Sequence, residues 1–407
     1  MSKININDVR KANISLVFMT IRRNAPISRA DISKITRLTR STVSSLVSDL
    51  INMGFVKEIG SSNNKNVGKK ATMLDICTDR IFFISVMLTE YVISVARMNL
   101  QGEITKILKE KVVTSSDVSM IDIIIRQINE LWASAQADNI VYYGIGVSVP
   151  APIKKGLMMA SASFKSLIGF NLFDILSKEF DCPVHLNNNA DAAALGEKWF
   201  GNYYNVDTLA FIIIDQGIGC GVVINDELFI GENGLSNEFG HTVIGKKGYT
   251  NCFCGNPGCL SSFASDRALA SLLIEEEGDE KIVSVVDDIM KIEVNVLNDR
   301  LQNNKKYNKA VNSVAEMLGI GLANLINMLS ADLVVVEGSI CHIKNFIEKV
   351  EQSCVEHIHA MYFNSYSIKK SQLGSVAPLI GASAFLYKDL CMNPYLIANA
   401  KVFADRS

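Results

Sequence analysis

One histidine and three cysteines lie within a short, glycine-rich stretch of this chain. They are His241, Cys252, Cys254 and Cys259, which gives the spacing H-x10-C-x-C-x4-C. Imidazole and thiolate groups favour Zn²⁺ in tetrahedral geometry, and four protein ligands leave no position open for a catalytic water. The spacing therefore predicts a structural zinc site that fixes a loop. The alternative is a set of buried free thiols beside a core histidine.

Charge is distributed unevenly along the 407 residues. The whole chain has a formal net charge of -2, yet residues 1–75 contain 13 lysines and arginines against 5 acidic residues. A basic N-terminal segment ahead of an acidic body is typical of a nucleic-acid-binding head joined to a larger domain. The length predicts two or three domains.

The cysteines outside the predicted zinc site have no disulfide spacing, and we interpret them as free thiols. Nothing at Met1 resembles a signal peptide, and no apolar run is long enough to cross a bilayer. These features predict a cytoplasmic protein without membrane insertion. The six remaining cysteines are Cys77, Cys182, Cys220, Cys341, Cys354 and Cys391.

The N-terminal segment has the pattern of a winged helix-turn-helix. A first helix is predicted over 6–23, and Ser28 with Asp31 forms a capping box that opens a short second helix. A third helix over 40–52 has one apolar face and one face of hydroxyl and arginine side chains. Two strands, at 55–59 and 71–76, flank a basic tip and predict a wing.

Hydroxyl and arginine side chains bind phosphates and base edges, so this segment predicts DNA contacts. The alternative is a small helical domain whose charged side chains are merely solvated. The residues predicted to contact DNA are Ser28, Arg29, Thr39, Arg40, Ser41, Thr42, Ser44, Ser45, Lys69 and Lys70.

Strand-like and helical runs alternate after residue 76, which predicts an α/β body with mixed sheets and two lobes. Strands are predicted at 81–86, 92–98, 141–149, 184–186, 209–214, 221–224 and 333–336. Helices are predicted at 120–135, 172–179, 190–200, 266–276, 284–298 and 306–328.

The zinc stretch, the winged head and the run 188–197 resemble the ROK family of repressors, open reading frames and sugar kinases. The resemblance covers essentially the whole chain and is strongest for the repressor branch, which includes xylose, glucose and N-acetylglucosamine regulators. It implies a winged helix-turn-helix domain over 1–76. Over 77–407 it implies an actin/hexokinase-like domain of two lobes, with a sugar in the cleft.

Two departures from the kinase members predict that this chain is not an enzyme. A sugar kinase needs loops that cradle phosphates and a base that accepts the hydroxyl proton. The family's D-x-G-x-T phosphate loop corresponds here to Met87, Thr89 and Tyr91. Its N-D-A-N motif appears as N-N-A-D at 188–191, which puts Asn189 in the place of the catalytic aspartate. An amide has no basic lone pair near neutral pH.

The sugar contacts of the family carry over onto Asn188, Asn189, Glu238 and His241, and His241 would serve both zinc and sugar. The glutamate usual after G-C-L is Ser261 here, a shorter and neutral side chain. That change favours a different sugar, a weaker site or a bridging water. Xylose is the first choice from the resemblance.

The sequence as a whole predicts a repressor of sugar-utilisation genes that binds operator DNA as a homodimer or tetramer, because a palindromic operator requires two heads. A sugar effector would change the spacing of the heads and release the DNA. Two alternatives remain open. One is an ATP-dependent sugar kinase of the ROK family with an added DNA-binding head, and the other is a repressor controlled by a protein partner.

Overall fold

The computed structural model describes residues 6–61, 71–89, 92–111, 120–138, 140–154, 157–159, 171–232, 234–277, 298 and 304–399. The chain divides into two compact units, one formed by Met1–Asn187 with Ala382–Ser407 and the other by Asn188–Gly381. The head falls in the first unit, and the domain boundary predicted after residue 76 stays a prediction.

The first unit begins with three helices and a small antiparallel sheet. The helices are α1 (Ile6–Asn24), α2 (Arg29–Thr36) and α3 (Arg40–Asn52). The strands β1 (Ile27–Ser28), β2 (Val56–Ser61) and β3 (Thr72–Ile76) pair in the order β1-β3-β2. This arrangement confirms the predicted winged helix-turn-helix.

Helix α3 is held by one apolar face that packs on α1 and α2. Val43, Leu46, Val47 and Leu50 are buried on that face, and their spacing of three, one and three residues places them along one helical stripe. Burying each of these side chains contributes about 1.5–3 kcal/mol. The opposite face stays exposed to solvent.

The rest of the first unit is built on a five-stranded sheet in the order β10-β7-β4-β5-β6. Strand β4 pairs antiparallel with β5 and parallel with β7. Helices α4 (Met120–Asp138) and α5 (Leu172–Phe180) contribute side chains to its apolar core. The strands are β4 (Ile81–Leu88), β5 (Val92–Asn99), β6 (Ile104–Lys111), β7 (Val141–Val149) and β10 (Val184–Asn188), and β8 (Ile153–Lys154) pairs with β9 (Leu157–Met158).

The second unit contains another five-stranded sheet, in the order β13-β12-β11-β14-β15. Strand β11 pairs antiparallel with β12 and parallel with β14. The strands are β11 (Thr208–Ile214), β12 (Ile218–Ile224), β13 (Glu227–Leu228), β14 (Leu333–Glu337) and β15 (Ser367–Lys370). The helices are α6 (Asn189–Phe200), α7 (Ser261–Ala264), α8 (Asp266–Glu277), α9 (Lys305–Leu329), α10 (Phe346–His357) and α11 (Ala377–Ala382).

The beginning of α6 rests directly on β12. A Cβ atom at Gly221 would collide with the carbonyl oxygen of Ala190, so only glycine permits this approach. The contact fixes the start of α6 against strand β12.

Helix α12 (Ala384–Met392) connects the first unit's sheet to the head. Ser383, just before this helix, lies 2.8 Å from Ser85 of β4 between their hydroxyl oxygens. The Arg22 guanidinium of α1 lies 5.2 Å from the centre of the Tyr387 ring of α12. The C-terminal region of the chain therefore contacts both the body sheet and the DNA-binding head.

The structure confirms most of the predicted elements to within a few residues. It adds the strands β1, β6, β8, β9, β13 and β15 and the helices α7, α11 and α12. The helix predicted at 284–298 lies outside the described residues, apart from Asn298. In the described part of the chain, no helix has both the length and the apolar character needed to cross a membrane.

Candidate functional site

The exposed side of α3 presents hydroxyl and arginine side chains at the start of the helix. Thr39 is the N-cap, and its side-chain oxygen accepts a hydrogen bond from the Thr42 amide at 3.2 Å. The same oxygen lies 2.9 Å from the hydroxyls of Ser41 and Thr42. Arg40, Ser41, Ser44 and Ser45 are exposed, so they are available to a ligand in front of the helix.

Ser28 and Arg29 are engaged within the head. Ser28 is buried, and its hydroxyl caps α2 by accepting from the Asp31 amide at 3.2 Å, so it is not presented to DNA. Arg29 forms an ion pair of 2.9 Å with Glu58 of β2. Lys69 and Lys70 lie outside the described residues.

The four predicted metal ligands converge in the second unit. The side-chain atoms of His241, Cys252, Cys254 and Cys259 that could bind a metal all lie within 4.8 Å of one another. The His241 Nδ1 atom is 3.3 Å from Cys252 Sγ, and Cys254 Sγ is 3.4 Å from Cys252 Sγ and 3.5 Å from Cys259 Sγ. Zinc–sulfur bonds of about 2.3 Å place neighbouring sulfurs about 3.8 Å apart in a tetrahedron. The cluster therefore has the donors and the dimensions of a zinc site.

Backbone pairing explains how the histidine and the three cysteines meet. Leu260 donates its amide proton to the Thr242 carbonyl at 2.8 Å, and Val243 pairs with Cys259 in an antiparallel bridge. Gly255, with φ of 88°, turns the chain back between Cys252 and Cys259.

Glu238 and His241 are brought together at one 3-10 turn, Phe239–His241. The Glu238 Oε2 atom lies 3.7 Å from His241 Nε2, while the other ring nitrogen faces the thiols. One histidine ring therefore faces the metal cluster and Glu238 at the same time.

Asn188 and Asn189 mark the start of α6. The Asn188 side chain caps this helix by accepting from the Ala190 amide at 2.8 Å, and Asn189 is the first helical residue. Asp191, which the sequence reasoning missed, receives a side-chain hydrogen bond from Asn237. Burial, and secondarily the nearby Glu238, raises the pKa of Asp191 to about 7. These interactions bring the start of α6 next to the 237–241 segment.

A small cavity of about 120 Å³ opens beside the metal cluster. Besides the turn 217–218 and Cys252, its lining residues are Gln216, His241, Asn251, Phe253, Ser261 and Arg267. Asn188, Asn189 and Glu238 are not among them. Ser261 is buried, and its hydroxyl accepts from the Ile218 amide at 3.1 Å, which ties it to the glycine-rich turn. Sequence reasoning missed Asn251 and Arg267, because no motif marks them.

The stretches that the resemblance assigns to phosphate loops follow β4 in the first unit and β11 in the second. In the first unit, the Thr89 side-chain oxygen accepts from the Val92 amide at 3.1 Å and closes the hairpin between β4 and β5. In the second unit, the Asp266 amide donates to the Asp215 carbonyl at 3.0 Å, beside the turn 216–219. Burial, and secondarily the charge of Asp215, raises the pKa of Asp266 to about 7.

Two protein-family sequence models match this chain, one in the body and one in the head. A sequence model described as the ROK family matches residues 93–389, and one described as winged helix-turn-helix DNA-binding matches residues 20–57. The chain is 30% identical over 397 residues to the xylose repressor of Caldicellulosiruptor bescii, and the match covers 95% of this chain and 98% of that protein.

Two further relatives extend the comparison. The glucokinase of Thermotoga maritima is 26% identical over 272 residues, which cover 65% of this chain and 85% of that enzyme. Among solved structures, a ROK family transcriptional regulator described as a homolog of the E. coli MLC protein superposes with a TM-score of 0.75 at 22% identity. That superposition covers 97% of this chain and 99% of the regulator. It shows a shared fold over both the head and the body.

Proposed function

The chain belongs to the ROK family, and on that premise we propose that it is a sugar-responsive transcriptional repressor. The single observation that carries the proposal is the winged head with its exposed polar face on α3, joined to a ROK body in one chain. The xylose repressor of C. bescii matches along nearly its whole length, which supports the same combination of parts.

The proposed DNA contacts lie on the exposed start of α3. Arg40, Ser41, Ser44 and Ser45 would bind base edges or phosphates, and Thr39 and Thr42 would fix the first turn of the helix. Ser28 and Arg29 act in the proposal as internal supports of the head, because a cap and an ion pair occupy them. The wing residues Lys69 and Lys70 would add backbone contacts.

The proposed effector is a small sugar held near Asn188, Asn189, Glu238 and His241. Amide and carboxylate groups suit sugar hydroxyls, which both donate and accept hydrogen bonds. The pairing of Glu238 with His241 at 3.7 Å supports a shared role for these two residues. Xylose is the first candidate, because the relative from C. bescii is named for it.

The proposed cofactor is one structural zinc ion held by His241, Cys252, Cys254 and Cys259. Zinc bound there would hold the loop that carries Glu238 and thereby position an effector contact. The four donors leave no coordination position for a catalytic water.

We propose that the body has no kinase activity. Asn189 stands where the family's kinases have a base, and its amide cannot accept the proton of a sugar hydroxyl. A coupled ATP-turnover assay with a panel of sugars tests this point. Sugar-dependent turnover that is abolished by Asn189→Ala would favour the kinase instead.

The proposed partners are operator DNA, a sugar and a second copy of the chain, since a palindromic operator requires two heads. A regulator of this kind would act in the cytoplasm. Footprinting on the DNA upstream of its own gene tests the DNA-binding part directly. We expect a protected palindrome, whereas equal binding to scrambled DNA would contradict the proposal.

A further inference from the structure

The cavity beside the four metal ligands is lined by a positively charged side chain and by no carboxylate of the described residues. That side chain is Arg267. The guanidinium lies 4.2 Å from the centre of the Phe253 ring, and within the described residues no carboxylate oxygen approaches it within 4.0 Å. The neighbouring Asp266 is turned to another partner, because its Oδ2 accepts from the Ser339 hydroxyl at 3.0 Å. A half-buried arginine thus lines this cavity without an acidic counterpart among the lining residues.

The dimensions of the cavity limit what it holds. Its volume of about 120 Å³ is well below the 300–1,000 Å³ of pockets that enclose a whole ligand. The cavity therefore suits one end of a ligand rather than a complete sugar.

The remaining lining supports an oxygen-rich ligand. Asn251 adds an amide and Ser261 a hydroxyl, although the Ser261 oxygen also accepts from the Ile218 amide. Arginine binds phosphate and carboxylate through two parallel hydrogen bonds, and its stacking on an aromatic ring fixes the plane of the fork. Phe253 provides that ring.

We propose that this cavity binds the anionic end of the effector, so that the effector is an acidic sugar carrying a phosphate or a carboxylate. The inference rests on the proposed function, because it names the ligand class of the same sensor. Arg267 binds the anion, and Asn251 donates to it. The hydroxyls of the sugar extend toward the His241 and Glu238 side.

The competing role for Arg267 is to balance the charge of the thiolates, since Cys252 also lines the cavity. The two roles differ in what they affect. An anion site changes the affinity for charged ligands, whereas a charge-balancing residue changes metal retention. Metal content is therefore measured alongside ligand binding for every variant.

Calorimetric titration of the zinc-loaded, full-length protein tests the inference. The probes are glucose, glucose 6-phosphate, glucuronate, xylose, xylose 5-phosphate, N-acetylglucosamine and its 6-phosphate, and inorganic phosphate. We expect at least one anionic sugar to bind more tightly than its neutral parent. Arg267→Gln should weaken that ligand by about 10- to 100-fold, the effect of losing a charge-assisted hydrogen bond, and leave the neutral parent unchanged. Arg267→Lys should retain part of the affinity.

Lys247→Gln is the matched control, because it removes one exposed positive charge from the same unit. It should leave all affinities unchanged. The inference is wrong if a neutral sugar binds as well as its acidic forms, if no acidic sugar binds, or if Arg267→Gln loses zinc while its binding profile stays the same. Specific operator binding is measured on the same samples. If it is present while the anion test fails, only the inference is wrong; if it is absent, the proposed function is contradicted.

Discussion

Tyr395 donates a hydrogen bond from its hydroxyl to Asp49 Oδ2 at 3.2 Å, which joins the end of the described chain to helix α3. Arg10 of α1 binds both partners, with Nε 2.8 Å from the tyrosine oxygen and Nη2 2.6 Å from the aspartate. Helix α3, which we propose binds DNA, is therefore hydrogen-bonded to the C-terminal segment through Asp49. Helix α12, which precedes this segment, also contacts α1.

This link predicts that Tyr395→Phe weakens operator binding by about 2- to 10-fold, because one hydrogen bond worth about 0.5–1.5 kcal/mol no longer fixes α3. Fluorescence anisotropy with operator DNA measures the change. Tyr362→Phe is the control, since it removes a similar hydroxyl contact of 2.9 Å to Ser330 far from the head in sequence. Equal affinities for the two variants would rule out a role for the link.

Removal of the metal should destabilise the second unit and blunt the response to sugar. We expect the purified protein to contain about one zinc per chain, and Cys254→Ala to lose it and to unfold at a lower temperature. Elemental analysis and thermal unfolding provide the measurements. Cys182→Ala, at a cysteine outside the cluster, should keep its zinc. A Cys254→Ala protein with unchanged metal, stability and sugar response would refute the structural role of zinc.

Arg40 is expected to contribute most directly to DNA recognition, because it is exposed at the start of α3. Arg40→Ala should lower operator affinity by about 5- to 150-fold, equivalent to about 1–3 kcal/mol. Competition binding against unrelated DNA reports whether specificity falls as well. Ser48→Ala is the control on the same helix, since its hydroxyl already bonds to the Ser44 carbonyl at 2.9 Å. An Arg40→Ala protein that binds operator like wild type would contradict the proposed interface.

Asp266 should make stability depend on pH. Its folded-state pKa of about 7 lies above the usual 3.8, so the folded protein holds a proton that the unfolded chain releases. This group therefore lowers the free energy of unfolding as the pH rises from about 4 to about 7. The free energy of unfolding of Asp266→Asn, minus that of wild type, should therefore increase as the pH rises from 4.5 to 8. Denaturant unfolding at each pH measures this difference. Asp174→Asn, at an exposed aspartate in the first turn of α5, should show no such trend. A constant difference between Asp266→Asn and wild type would contradict the assignment.

Local patterns were enough to predict the head and the metal cluster. Apolar spacing marks α3, whereas the capping role of Thr39 was not predicted. The four metal ligands lie within 19 positions of sequence, so their spacing is visible in one short stretch. Strand β6 had no such signal, because its residues alternate between half-buried and exposed positions while its sequence, ITKILKEK, does not alternate apolar and polar side chains.

Features that depend on distant contacts had no local signal. Arg267 faces the cavity only because α8 follows the metal loop, and nothing in its flanking sequence marks it. Asp49 looks like an ordinary polar residue of α3, and its partner Tyr395 lies 346 positions away. The capping role predicted for Ser28 is present in the structure. Its hydroxyl group also led us to predict a DNA contact, but Ser28 is buried.

The most direct test of the central claim is a titration of the protein onto its own upstream DNA with and without sugars. We predict specific binding at nanomolar protein, and we predict that one sugar, neutral or acidic, reverses it at concentrations where its stereoisomers do not. Binding that no sugar changes would contradict the claim that this repressor senses a sugar. A complete lack of specific binding would contradict the assignment as a DNA-binding regulator.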